Sequence, residues 1–164
     1  MGDTLLKGIF SNYMDFFYSI GYFGEYITFI ITCILIFNKH VYFGFYILFF
    51  ILNRIINQYL KNYFKEPRPN KPIKFLDSDN FSKKKFGFPS GHSQLTFFSI
   101  FYTYLVTNKF IPWTLLLLFI GIIVIYERLI YKNHTINQLI AGALIGSILA
   151  FISYSILKNI IKLL

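Results

Sequence analysis

Five apolar stretches, each about as long as a bilayer is thick, constrain this chain more than any other feature. They cover residues 21–38, 41–60, 90–107, 111–131 and 136–157. Crossing hydrocarbon as a helix takes roughly 20 mostly apolar residues. Within lipid the backbone must satisfy its own hydrogen bonds, and runs of this length do so as helices. Composition agrees, because 55% hydrophobic and 14% charged residues leave too little polar surface for a water-soluble domain of 164 residues. Residues 4–18, "TLLKGIFSNYMDFFY", carry apolar and aromatic residues at helical spacing but too many polar ones to span. They read as a helix lying in the interface. The expected fold is therefore all-α, a polytopic membrane helical bundle. It has about five transmembrane helices plus an N-terminal interfacial helix, in one domain over residues 1–164.

Polar residues inside the spans are not scattered. With the segment before the first span on side A, the loops after the second and fourth spans also face A, and Lys39, Lys109, Lys158 and Lys162 face side B. Glu25 lies early in the first span, Arg54 late in the second, and His92 and Gln94 early in the third. Glu127 and Arg128 come late in the fourth, Asn137 and Gln138 early in the fifth. Every one falls near side A. Charged groups at membrane depth are costly and face the bundle interior or a wet cavity, so the helices deliver their polar ends to one place. Glu25 and Arg54 also read as a tie between neighbouring helices.

Three segments open on that side. "KNYFKEPRP" sets Lys61 seven residues before Arg68, which Pro69 follows; "PSGH" spans residues 89–92; "RLIYKNHTINQ" sets Arg128 six before His134 and Gln138 four after it. Lys61, Arg68 and Arg128 are three cations on one face, and the planar fork of Arg suits the oxygens of a phosphate. Ser90, Gly91 and His92 begin a helix, where first-turn N–H groups favour an anion and Gly91 lets a phosphate approach. Two imidazoles, His92 and His134, allow one to attack phosphorus while the other protonates the departing oxygen. If 134–138 is helical, Gln138 shares a face with His134, and its amide oxygen accepts the ring N–H. The acids are Asp3, Asp15, Glu25, Glu66, Asp77, Asp79 and Glu127, and no two show a close ligand spacing with a histidine. The single Cys33 supports neither a disulfide nor a cysteine-based metal site. Chemistry without metal or cofactor is expected.

Together the three segments resemble the signature of the type-2 phosphatidic acid phosphatase superfamily, phosphatases related to the vanadium haloperoxidases. That signature is Lys, six residues, Arg-Pro; then Pro-Ser-Gly-His; then Ser-Arg, five residues, His, three residues, Asp. The first two match fully, and the third matches at Arg128 and His134. The resemblance covers residues 61–142. It implies an α-helical bundle with the site at one end of the membrane helices. It also implies that His134 is a nucleophile forming a phosphohistidine, that His92 is the general acid, and that Lys61, Arg68, Ser90, Gly91 and Arg128 hold phosphate. Glu127 stands where the family has Ser, and Gln138 where it has the Asp that orients the nucleophile. A neutral amide orients an imidazole but stabilises an imidazolium less. Gln within "HTINQLIAG" is similar to the dolichyl-diphosphate phosphatase branch and to glucose-6-phosphatase.

The small size favours a lipid phosphate reached from within the bilayer. A polyprenyl diphosphate of the dolichyl type is the first expectation. The alternatives are phosphatidate or another lipid monophosphate, or a non-catalytic protein that binds phospholipid headgroups. Phe75, Phe81, Phe86 and Phe88 precede or flank "PSGH" and read as rings anchoring a loop at the interface, or as the lining of a lipid portal. The net charge of +9 fits nucleic acid, anionic lipid or a phosphorylated substrate, but the "KKK" of residues 83–85 reads as a solvated patch rather than a nucleic-acid site, since aromatic interleaving and a soluble basic domain are missing. Side A holds most of the lysines, a bias towards the cytoplasm, whereas the dolichyl branch works in the lumen. An integral membrane protein is expected, of the endoplasmic reticulum if eukaryotic and otherwise of the cytoplasmic membrane.

Overall fold

The computed structural model describes residues 2–73, 86–107 and 111–163, with side chains from residue 15 onward. Phe75, Phe81, Lys109 and the lysines at 83–85 lie outside the described residues. The architecture is an all-helical bundle of α1 (Gly2–Ile36), α2 (His40–Phe64), α3 (Gly91–Val106), α4 (Ile111–Ile130) and α5 (Ile136–Leu163). Four of these, counting α1 from Asp15, are long and apolar enough to cross a membrane, and the protein is an integral membrane protein. The fourth to eighteenth residues form no separate helix, because α1 runs unbroken for 35 residues. Gly21 and Gly24 do not break it. They are points of close approach, where an added Cβ would strike Glu127 and Val124 of α4.

The shortest helix, α3, is the hub. Its 16 residues rise about 24 Å, less than the roughly 30 Å of hydrocarbon. It packs against all four other helices, most extensively against α5. Protein rather than lipid therefore covers most of it, Phe101 being exposed, and it tolerates Ser93, Gln94, Thr96, Ser99 and Thr103 fully buried. Elsewhere the apolar residues face outwards: Ile34, Ile122, Ile148 and Phe151 are all more than half exposed, on faces suited to acyl chains.

Two devices hold α3 in place. On α5, Gly142 and Gly146 let the backbones meet, because a Cβ at either would collide with the carbonyl oxygen of Ser90 or Gln94. Small residues four apart permit such contact in lipid, where water supplies no drive to association. On the other flank Tyr46 stacks on Phe98, with centroids 5.8 Å apart, and its hydroxyl lies 2.7 Å from that of Ser99. Thr32 meets Thr103 at 2.8 Å between hydroxyls. Interhelical hydrogen bonds of this kind contribute on average about 0.6 kcal/mol each. At the far end Lys39, in the turn between α1 and α2, donates to the carbonyl of Val106, one of the last in α3. A cation suits that helix end, and the contact puts the α1–α2 turn and the end of α3 on one side of the bundle.

Candidate active site

At the opposite end of the bundle the chain turns sharply after Phe64. Lys65, in the left-handed region with φ of 51°, caps α2 by donating its N–H to the Lys61 carbonyl. The following segment is pinned by an isolated antiparallel bridge between Pro67 and Phe86, and by a bond from the Gly87 N–H to the Glu66 carbonyl at 2.8 Å. This geometry brings Arg68 beneath the α4–α5 turn, where Nη1 donates to the Asn133 carbonyl at 3.1 Å. Burial, helped by the neighbouring Arg128, pulls Arg68 down to about 10, and it stays cationic at neutral pH.

Opposite these cations α3 begins. Ser90 is its N-cap, extended at φ −65° and ψ 121°, and its Oγ accepts the Ser93 N–H at 3.5 Å. Its own N–H donates to the Gln138 carbonyl at 2.9 Å, which ties the start of α3 to the start of α5. A Cβ at Gly91 would stand 3.0 Å from Asn57 Oδ1 and 3.7 Å from Lys61 Nζ. The bare backbone of the first turn therefore comes close to Asn57 and, just beyond it, to the lysine amine, and a first-turn N–H set near a cation favours an anion.

Between these elements opens a cavity of about 630 Å³. Lys61, Arg68, Gly91, His92 and His134 all line it. Ile51, Ile55 and Leu95 form an apolar part of the wall, with Arg54 and Glu25 beside them. The fold thus brings five of the eight candidate residues onto one surface. Ser90 and Gln138 are buried behind it. Arg128 does not line it either: Nη2 donates to the Tyr22 carbonyl at 3.1 Å and the guanidinium lies over the Tyr22 ring. Its Nε forms an ion pair with Glu127 at 3.0 Å, without hydrogen-bond geometry. The carboxylate found where the family has Ser is what Arg128 pairs with.

The two imidazoles sit in unlike surroundings. His134 is only 2% exposed, with Nδ1 3.0 Å from Gln138 Oε1. Burial holds it well below the usual histidine range, and the Arg68 and Lys61 charges push in the same direction, outweighing the bond to Gln138. It is therefore neutral. The His92 side chain is 25% exposed, and its Nδ1 lies 3.8 Å from Glu25 Oε2. The other Glu25 oxygen lies 3.8 Å from Arg54 Nη1, so the helix tie read from the sequence exists and also borders the cavity.

Gln138 does more than its position in the motif indicates. With Thr135 it forms a reciprocal cap at the start of α5: Thr135 Oγ1 accepts the Gln138 N–H, and Gln138 Oε1 accepts the Thr135 N–H, each at 3.3 Å. "TINQ" is a capping box, legible in the sequence as Thr followed three residues later by Gln. Its Nε2 donates to Glu66 Oε1 at 2.7 Å and to the Pro67 carbonyl at 2.9 Å. Nothing in the spacing of the sequence pointed to Glu66. A second network steadies α3 from α2: Asn57 Nδ2 donates to Gln94 Oε1 at 2.8 Å and to the Pro89 carbonyl at 3.2 Å, and Gln94 Nε2 donates to Asn53. Its signal was available, since Asn53, Asn57 and Lys61 recur every four residues along one face of α2.

The arrangement is a cationic, partly apolar pocket with a neutral imidazole of fixed orientation and a second imidazole beside a carboxylate. The solved structure of a transmembrane PAP2-type phosphatidylglycerolphosphate phosphatase from Bacillus subtilis superposes with a TM-score of 0.67. It is 21% identical over 91% of this chain and 77% of that one. No curated protein sequence matches. The family model of the PAP2 superfamily matches residues 40–162, from the start of α2 almost to the end of α5, and leaves Tyr22 and Glu25 of α1 outside. With its three motifs gathered at one end of a matching bundle, the chain belongs to the PAP2 superfamily.

Proposed function

We propose that the protein hydrolyses a lipid phosphate through a phosphohistidine at His134, without a metal ion, and that its substrate is a polyprenyl diphosphate. The observation that supports this most is the presence of both imidazoles on one cavity wall with Lys61 and Arg68. With Nδ1 committed to Gln138, the proton of neutral His134 sits on that nitrogen and the Nε2 lone pair is available. Nε2 attacks phosphorus, the bond to the leaving oxygen breaks, and His92 gives its proton to that oxygen. Water then attacks the phosphohistidine, His92 takes a proton from it, and the N–P electron pair returns to His134 as phosphate departs. Lys61, Arg68 and the first turn of α3 neutralise the equatorial oxygens in both steps. The charge of Arg128 acts on them from behind the wall.

Three features favour a lipid, and a diphosphate among lipids. Ile51, Ile55 and Leu95 continue the cavity below the cations, where an acyl or prenyl chain would lie. Arg54, with 59% of its side chain exposed at the rim, offers a further cation for a second phosphate. Gln138 in the third motif favours the dolichyl-type branch. The alternative is a lipid monophosphate, in keeping with the phosphatidylglycerolphosphate for which the similar Bacillus subtilis protein is named. Phosphate release by detergent-purified protein from dolichyl diphosphate and from phosphatidate, with excess chelator, tests both readings. Faster release from the diphosphate is expected. Preference for phosphatidate would transfer the assignment to the monophosphates, and release that needs added metal would end the metal-independent mechanism.

A further inference from the structure

The third motif lacks the carboxylate that its family places beside the nucleophilic imidazole, yet a carboxylate lies one amide away. All four hydrogen-bonding positions of the Gln138 carboxamide are taken. Oε1 faces His134 Nδ1 at 3.0 Å and the Thr135 N–H at 3.3 Å. Nε2 faces Glu66 Oε1 at 2.7 Å and the Pro67 carbonyl at 2.9 Å. Turning the amide over would set its oxygen against two oxygens and its NH₂ against the Thr135 N–H. Its orientation is therefore fixed by the partners, and that fixes the His134 tautomer. The pocket is built for the amide as well. Gly87, buried beside it, leaves space that a Cβ would fill, because that Cβ would strike Oε1 and lie 2.8 Å from both Cδ and Nε2. The Gly87 N–H also holds the Glu66 carbonyl at 2.8 Å.

Resting on the phosphohistidine reading above, we propose that Glu66 is a positioning residue of that reaction, its carboxylate acting on His134 through the Gln138 amide. No proton travels along the chain, since an amide N–H is far too weak an acid. The carboxylate polarises the amide instead. A charged acceptor at Nε2 makes Oε1 a stronger acceptor for the imidazole N–H. The ring gains positive charge as Nε2 bonds to phosphorus, and Oε1 then stabilises it more than an isolated amide would. The charge that the family carries at position 138 is thus supplied from position 66, across 72 residues of sequence. The split also leaves Gln138 free to complete the capping box.

Glu66→Gln separates charge from hydrogen bonding, because the new amide oxygen still accepts from Gln138. The relay requires kcat to fall about 10- to 100-fold, the scale known for lost outer partners of metal-bound histidines, with KM within about twofold. The same substitution on a Gln138→Asp background, where position 138 carries its own charge, is expected to cost nothing further. An equal loss in both backgrounds, or an unchanged kcat in the first, would overturn the relay. His134→Ala is assayed alongside: if it still turns over, the phosphohistidine reading fails for its own reason. The relay is then judged without catalysis, on protein labelled with ¹⁵N-histidine, where the three histidines are assigned from His134→Ala and His92→Ala. Movement of the His134 Nδ1–H resonance in Glu66→Gln supports the coupling, and an unmoved resonance refutes it.

Discussion

The two histidines face the same cavity, yet the protein treats them in opposite ways. His134 is sealed in, with a neutral amide at Nδ1 and cations on its other flanks, so it stays uncharged. His92 stands at the open start of α3, with a buried carboxylate from α1 near Nδ1, the partner that an imidazolium needs. These are the surroundings that the proposed roles of nucleophile and acid require. Pairs of titratable groups whose environments diverge in this way mark acid and base roles. The lesson concerns placement: the two residues are identical in type, and only the groups around them differ.

The largest test of this contrast is His134→Ala. It is expected to lower phosphate release by about 10⁴-fold or more, since no other group stands where Nε2 does. Activity that survived would erase the distinction between the two imidazoles. His92→Ala is expected to cost less, roughly 10²- to 10⁴-fold on a lipid substrate. In kcat/KM, which reports the phosphorylation step and not the later hydrolysis in which His92 is the base, that loss should shrink towards about tenfold on p-nitrophenyl phosphate, whose leaving group departs without a proton. Equal losses in kcat/KM on both substrates would show that His92 is not the acid. Glu25→Gln sharpens the same side, with about a tenfold lower rate on the lipid and little change on the aryl ester expected.

The pH profile separates the histidines with a smaller effect. Because folding depresses His134, its neutral form persists below the ordinary value of 6.5, and the acid limb of kcat/KM for the free enzyme should lie below that pH. The sign carries over to stability. In the unfolded chain this histidine takes a proton below about pH 6.5 whereas the folded protein refuses it, so thermal stability should decline as pH falls from there. His134→Ala should flatten that part of the decline, and an identical slope in the variant would contradict the assigned shift.

Much of this was legible in the sequence, and the reasons can be traced to particular residues. The start of α3 is local: Ser90 caps, Gly91 opens the backbone and His92 follows, all within one turn. The His134–Gln138 contact is also local, four residues apart at a helix start. Spacing is enough for such pairs, because helical geometry relates the residues whatever the rest of the fold does. Glu66 had no such signal. It reaches Gln138 only because Lys65 reverses the chain, and because the Pro67–Phe86 bridge holds the returning segment against α5. Arg128 is the converse case, with correct spacing but a side chain drawn to Tyr22 and Glu127.

Hydrophobic length and the order of the motifs by themselves determined an all-helical membrane bundle with its three motifs at one end. Lipid allows a spanning backbone few other solutions, and residues one turn apart cannot avoid each other. Only the tertiary structure decided that α1 is unbroken, that α3 is the protein-coated hub, and which carboxylate stands behind each histidine. Those outcomes depend on contacts between residues tens of positions apart, where glycine approaches and side-chain hydrogen bonds choose among packings that the hydrophobic pattern leaves equal.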